Sequence, residues 1–499
     1  MSNLSELLPT GGGQNAVDFV ASGTLSSGQT VALNSDGTVA SATGVAVSDT
    51  FTSEVATNGS SSVQGGYVVA HDPDNNKTLL AYGDMENSQY GYARIATIAQ
   101  DGTTTLGTKV AFKSAAVGKI SAAYVGNGSF VIVWTDDIGT YMRSRALTVS
   151  GTAITYGTEV VLNSNATYIS PVSLVYNPVV QACAVIASKY GYVFMFRFTV
   201  SGNAITNDAA AGNNINDILG NANNGSSEMA LTINSTTGEL FAVWKKSSAG
   251  VPGYGGAMQM SAGGGADSFT GGTAVRFDGS SGVSNFSGLA YDSTNDRYVV
   301  VYQNDTNDYM TANVASVASG ATTWGTETVF KAEASSTTGN GATSFNPNTN
   351  KIVTLYRKDG SPLNVKYVTG SVSGLSVTWS SETYLSPAAL STYNFTVYNS
   401  TIQRTLVSYV RSSVAYIRNF LVGGTQPNYT SFIGITAEAI SDTATGAVNV
   451  YGGINEAQSG LTIGSDYYVQ ADGSLSTTTS TVKVGKAISA TTINMMDLT

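Results

Sequence analysis

The stretch FSGLAYDSTNDRYVVVYQNDTNDYMTANVASVASGATTWGTETVF, Phe286 to Phe330, holds four short runs rich in β-branched and aromatic residues, separated by turn-formers. Gly288 to Tyr291, Tyr298 to Gln303, Tyr309 to Val317 and Thr322 to Phe330 predict one four-stranded antiparallel sheet. The polar cluster Asp292 to Asp296 suits its first hairpin turn. The near-continuous apolar run Tyr298 to Tyr302 predicts a strand covered on both faces.

The same unit recurs along the chain. The residue that ends its second strand falls at Tyr82, Trp134, Ala187, Trp244, Tyr302, Tyr356 and Tyr409, so successive gaps are 52, 53, 57, 58, 54 and 53. A repeat of fixed period worth four strands predicts an all-β fold, a seven-bladed β-propeller over residues 50–424. Other landmarks keep step, such as Gly107-Thr108-Lys109, Gly157-Thr158-Glu159 and Gly325-Thr326-Glu327 in the last strand. The seventh unit stops after three strands, at Gly423 and Gly424. Residues 51–56 resemble the missing fourth strand and are expected to pair with Val414 to Phe420, which closes the ring and removes its open edges.

Two segments flank the propeller: an N-terminal arm and small β unit at 1–49, and a C-terminal small β domain at 425–499. Leu461, Gly464, Asp472 and Gly473 repeat the offsets of Leu25, Gly28, Asp36 and Gly37, so the two ends are expected to carry related β units that pack together.

Composition agrees with a turn-rich β protein. Of 499 residues 55 are Gly, only 11% are charged, and 42% are hydrophobic, enough for a sizeable core. A net charge of −10 argues against nucleic acid as a main partner. No apolar run approaches the ~18 residues of a membrane span. The opening MSNLSELLPTGGG has neither the basic region nor the apolar core of a secretory signal, so no signal peptide is expected, and a protein acting outside the cell would leave by another route such as lysis.

Catalytic chemistry finds little purchase. His71 lies beside the first hairpin turn and reads as a solvated or hydrogen-bonded turn residue, and Cys183 sits in an apolar run as a buried thiol. One His and one Cys leave no His or Cys cluster for a metal such as zinc. Asp72, Asp74 and Asn76 resemble a calcium loop, but the same Asx-rich turn recurs in other units, so the turn reading is preferred. Carboxylates in the loops between second and third strands, Glu86, Asp136, Asp137, Asp305, Asp308 and Asp359, are expected to share one face and could supply the paired acids of glycoside hydrolysis, but solvated loop residues are the preferred reading. The Thr-Trp endings at Thr323-Trp324 and Thr378-Trp379 resemble sialidase boxes but lack their Asp. No catalytic residue and no cofactor is assigned. Two segments depart from the repeat, Gly202 to Ser227 and the stretch after Trp244; they make Asn213, Asn214 and Tyr254, with Asp136, Asp137, Asp305 and Asp308, the candidate ligand or receptor contacts.

The opening SELLPTGGGQNAVDFVASGTLSSGQTVALNSDGTV and the closing FIGITAEAISDTATGAVNVYGGINEAQSGLTIGSDYYVQADGSL resemble the ends of tailed-bacteriophage virion structural proteins, of the tail-fibre or spike-like kind found in marine and cyanobacterial phages. That resemblance implies a non-enzymatic part of the virion, a homo-oligomer with a trimer favoured. Its partners would be other virion proteins and a host-surface glycan or protein. The alternatives are a structural connector or decoration of capsid or tail, and a glycan-degrading propeller on the particle.

Overall fold

The structure, a computed structural model, describes residues 15–495 apart from 43–44, 48, 59–62, 100, 137–140, 165–169, 190, 208–211, 221–224, 247–250, 264–267, 280–281, 337–340, 359–364, 387–389, 412, 427–430, 471–472 and 481. The chain divides into two compact units, Phe51–Leu421 and Met1–Thr50 with Val422–Thr499.

The first unit is a seven-bladed β-propeller. Each blade is an antiparallel sheet of four strands; in blade five these are Val283–Asp292, Arg297–Asn304, Met310–Ala318 and an outer strand in two pieces, Ala321–Trp324 and Thr328–Lys331. The first strand of every blade packs beside the first strand of the next, and that of blade seven returns to that of blade one. Blades one and two share a continuous sheet because Val110–Gly126 pairs first with the third strand of blade one and then with Ser129–Asp136 of blade two.

Local chemistry sets each hairpin. Asp72, Asn177, Asn234, Asp292 and Asn399 each use Oδ1 to accept two backbone N–H groups from their own turn, at 2.9–3.4 Å. A left-handed residue follows, at φ 51–54° for Asn76, Gln181, Asp296, Asn350 and Gln403. Second strands are buried throughout, as the apolar run of blade five predicts. The aromatic that ends this strand in blades five, six and seven serves the same purpose each time. Tyr302, Tyr356 and Tyr409 donate their hydroxyls to Glu327, Glu382 and Glu54, which stand in the break of the outer strand. Burial opposes charge on Glu382, but bonds from Lys366, Tyr356 and Lys331 outweigh it and hold the carboxyl at about 2.

Glu54 belongs to the strand that closes the ring. Thr50–Phe51 and Val55–Ala56 form the outer strand of blade seven, with Val55 opposite Ile417 and Ala56 opposite Tyr416. Arginines at one register position of the third strand grip this closure from both sides. Arg418 donates to Thr52 O at 2.9 Å and to Leu385 O of blade six at 2.7 Å. Arg94 of blade one donates to Thr57 O at 2.7 Å and to Gly107 O of its own blade. Arg145 repeats the pattern on Phe112 O and Gly157 O, and in blade five Asn313 reaches Phe277 O. Blade four carries Gly256 at this position, and the vacated space is filled by Leu219 from the short helix Ile215–Leu219; a Cβ on Gly256 would lie 3.2 Å from Leu219 Cδ1. Ile215, Ile218 and Leu219 are buried among residues of blades three and four, so this part of the Gly202 to Ser227 segment is core.

In the second unit the two chain ends share one sheet, ordered Ala16–Val20, Thr445–Val450, Phe432–Thr436, Thr30–Leu33, Val39–Ser41. A second sheet, containing Lys483–Ala487 and Asp466–Val469, packs on it through Ala32, Ile435, Tyr467, Val469 and Val484. The repeated offsets mark repeated turns. Gly28 and Gly464 have φ 77° and 82°, Gly37 and Gly473 85° and 82°, and Gly37 N–H to Asn34 O is matched by Gly473 N–H to Gln470 O.

Removing either guanidinium at the closure orphans backbone carbonyls. Arg94→Met and Arg418→Met should each destabilise the propeller by roughly 1.5–3 kcal/mol. Hydrogen exchange should quicken in Val414–Leu421 in both variants, whereas Asn313→Ala should leave that strand's exchange unchanged.

Candidate functional site

The predicted contact residues do not converge. Asp305 and Asp308 share one turn of blade five. Asp305 is exposed and its N–H bonds Gly282 O at 3.2 Å; Asp308, at φ 58°, accepts from Gln303 Nε2 at 2.7 Å. The carbonyl of Asp308 accepts Ser335 N–H at 3.0 Å, which ties this turn to blade six. Asp136 lies in blade two and accepts Tyr141 N–H at 3.3 Å. Asp137 and Asp359 lie outside the described residues.

Three placements differ from the sequence expectation. Tyr254 is not in a lengthened loop but in the third strand of blade four, Gly253–Met260, opposite Trp244. It occupies the register of Tyr92 and Tyr416, half-buried with its ring 6.3 Å from that of Trp244. The glycines around it read as loop-formers, yet the space above them is covered from afar: a Cβ on Gly253 would meet Phe277 at 2.4 Å, and one on Gly255 would meet Trp324 at 2.7 Å. Asn213 and Asn214 are likewise strand residues, paired with Met195 and Phe194 as the inner half of blade three's outer strand. His71 takes the hydrogen-bonded form of its expected turn role, buried with Nδ1 3.1 Å from Thr78 Oγ1. Burial lowers its pKa to about 4, against the pull of Asp72.

Two other readings take physical form. Cys183 is buried, and burial pushes its thiol well above the ordinary range. Asp72 spends its oxygens on the N–H groups of Asp74 and Asn75 and on Asn75 Nδ2, as a turn residue does.

A cavity that sequence reasoning missed lies between blades four and five, at their turns. Here the outer-strand glycine of one blade faces the third-to-fourth-strand turn of the next: Gly107 faces Thr152, Gly157 faces Asn203, Gly325 faces Leu375, and Gly272 faces Gly320. In the first three boundaries the turn residue brings a side chain. In blade five it brings none, and a cleft of about 630 Å³ opens, lined by Asn234, Thr237, Glu239, Gln259, Asp296 and Ser319 with Met258 and Val317. Both carboxylates are held in place. The buried Tyr298 donates to Glu239 Oε1 at 2.8 Å, and Tyr291 donates to Asp296 Oδ1 at 2.8 Å. Burial raises the Glu239 carboxyl above its ordinary value; the Tyr298 bond works against this and the charge of Asp296 adds to it.

No family model matches the chain, and no curated protein matches it. Among solved structures it is similar to the periplasmic gluconolactonase PpgL of Pseudomonas aeruginosa, at 11% identity and TM-score 0.42 over 74% of this chain and 98% of that one. It is also similar to the C-terminal WD40 domain of Sif2, at 13% identity and TM-score 0.44 over 75% and 99%, and to the Dos1 propeller, at 9% and 0.42 over 73% and 94%. Likenesses this remote say nothing of activity. The fold rests on the ring of seven blades itself.

The buried imidazole links stability to pH. His71 is neutral in the fold down to about pH 4 but protonates near 6.5 when unfolded, so its contribution is intact above pH 6.5 and is lost as pH falls from there to 4. Between pH 7 and pH 4, denaturant titrations should show the native protein losing roughly 3 kcal/mol more than a His71→Gln variant loses.

Proposed function

We propose that the protein is a non-enzymatic structural component of a tailed-bacteriophage particle. Its terminal β unit attaches to other virion proteins, and its propeller contacts the host surface. The observation that carries this reading is the union of the two chain ends. The segments that resemble phage virion proteins, at the start and the end of the sequence, alternate as strands of one sheet, Ala16–Val20 beside Thr445–Val450 and Thr30–Leu33 beside Phe432–Thr436. A single compact β unit is built from both ends, and the propeller is a closed insertion within it. Such an arrangement suits an appendage: the anchor is made once, while the inserted propeller offers loops for contact. The engagement of Asp136 and Asp308 in bonds within their own blade regions favours a rigid display surface over a glycosidase pair on that face.

Antibodies against the chain should label a tail or surface projection in electron micrographs of intact virions. Purified protein should bind host cells and compete with phage adsorption, and should sediment as a trimer. Labelling confined to cell debris, with no protein in the particle, would contradict the reading.

A further inference from the structure

We propose that the cleft between blades four and five is a saccharide subsite, for a pyranose unit without an acidic group, and that it favours a unit bearing a free amine. This inference rests on the reading that the propeller contacts a host-surface glycan and specifies which glycans it takes.

The cleft is a departure from the repeat, not a feature of it. Thr152, Asn203 and Leu375 put a side chain against the neighbouring blade at three other boundaries; Gly320 leaves the corresponding space open. A volume of about 630 Å³ falls in the range of small-molecule sites and admits one or two sugar rings. Its lining combines what a pyranose presents. The amide of Gln259 and the hydroxyl of Ser319 can meet ring hydroxyls, while Val317 offers an apolar patch to the C–H face. Glu239 Oε2 and Asp296 Oδ2 have no hydrogen-bond partner among the described residues, while their companion oxygens are fixed by Tyr298 and Tyr291. They are acceptors whose orientation is set before a ligand arrives, so binding loses little side-chain entropy.

Charge decides the class. No Lys or Arg is among the described residues lining the cleft. A sialic or uronic acid would bring a third carboxylate with no cation to meet it, whereas an ammonium group would gain charge-assisted bonds.

The test uses the full-length protein and titration calorimetry with three probes: the tetrasaccharide of glucosamine, maltotetraose and sialyllactose. The expected order of affinity is glucosamine tetramer, then maltotetraose, with sialyllactose not bound. A Glu239→Gln, Asp296→Asn double variant should bind the glucosamine tetramer roughly tenfold or more weakly. An Asp36→Asn, Asp101→Asn double variant removes the same charge at exposed turns outside the cleft and should bind as the native protein does. Thermal melting of each variant separates lost binding from lost folding; if the double cleft variant melts early, Gln259→Ala with Ser319→Ala replaces it. Sialyllactose bound as tightly as the glucosamine tetramer, no probe bound by the native protein, or cleft variants that bind normally would each overturn the proposal. Cleft variants that bind normally, in a protein that still binds host cells, would sink the cleft and leave the host-surface reading standing. Native protein that binds the glucosamine tetramer through the cleft but does not bind host cells would do the reverse.

Discussion

The structure depends on one pairing between residues far apart in the chain. Residues 50–56 supply the outer strand of blade seven, whose other three strands end at Leu421, and that pairing, with the packing of Leu390–Asn399 beside Val63–Asp72, closes the ring. Strand hydrogen bonds alone would leave a short edge piece exposed to fraying. Two arginines change this. Arg418 from within blade seven and Arg94 from blade one each bond a carbonyl of the closing segment and a carbonyl elsewhere, so releasing it breaks charge-assisted bonds at both neighbouring blades. Closing so long a loop has an entropic cost, but that cost grows only slowly with length. The co-folded chain ends favour the same juxtaposition from the other unit, since they hold residues on both sides of the propeller in one sheet.

Departures from the repeat matter as much as the repeat. Where blade four replaces the clamp arginine by Gly256, a helix from the preceding link restores packing with Leu219, and Leu219 O accepts Ala274 N–H at 2.8 Å. Where blade five replaces a turn side chain by Gly320, nothing among the described residues restores it and a cleft results. A missing side chain therefore has opposite outcomes, set by whether another segment is long enough to reach the gap.

The propeller was legible in the sequence because its landmarks have fixed physical jobs. Tyr302, Tyr356 and Tyr409 recur at constant spacing since each hydroxyl meets a glutamate in the outer strand, and Glu54 in the N-terminal segment carries the same glutamate. The offsets shared by the two ends were legible for a similar reason, because Gly28, Gly37, Gly464 and Gly473 all adopt positive φ. Tyr254, Asn213 and Asn214 were misplaced because local composition around them is that of loops, and what holds them in strands comes from Phe277, Trp324 and the third strand of blade three. The cleft was not legible at all. Its signal is one glycine in a turn that tolerates glycine anyway, and its meaning appears only beside Thr152, Asn203 and Leu375 of other blades.

The central claim, that the N-terminal strand closes the propeller of its own chain, is tested most directly by cross-linking Val55→Cys to Ile417→Cys. These positions face each other across the closing pair, at the roughly 4.5–5.5 Å Cβ separation of opposed strand residues, within reach of a disulfide after small adjustment. Cys183 is buried and stays out of the reaction. Mild oxidation followed by mass spectrometry of peptides should find the 55–417 disulfide formed within one chain, nearly to completion. Both thiols remaining free, or linkage only between chains, would contradict the account.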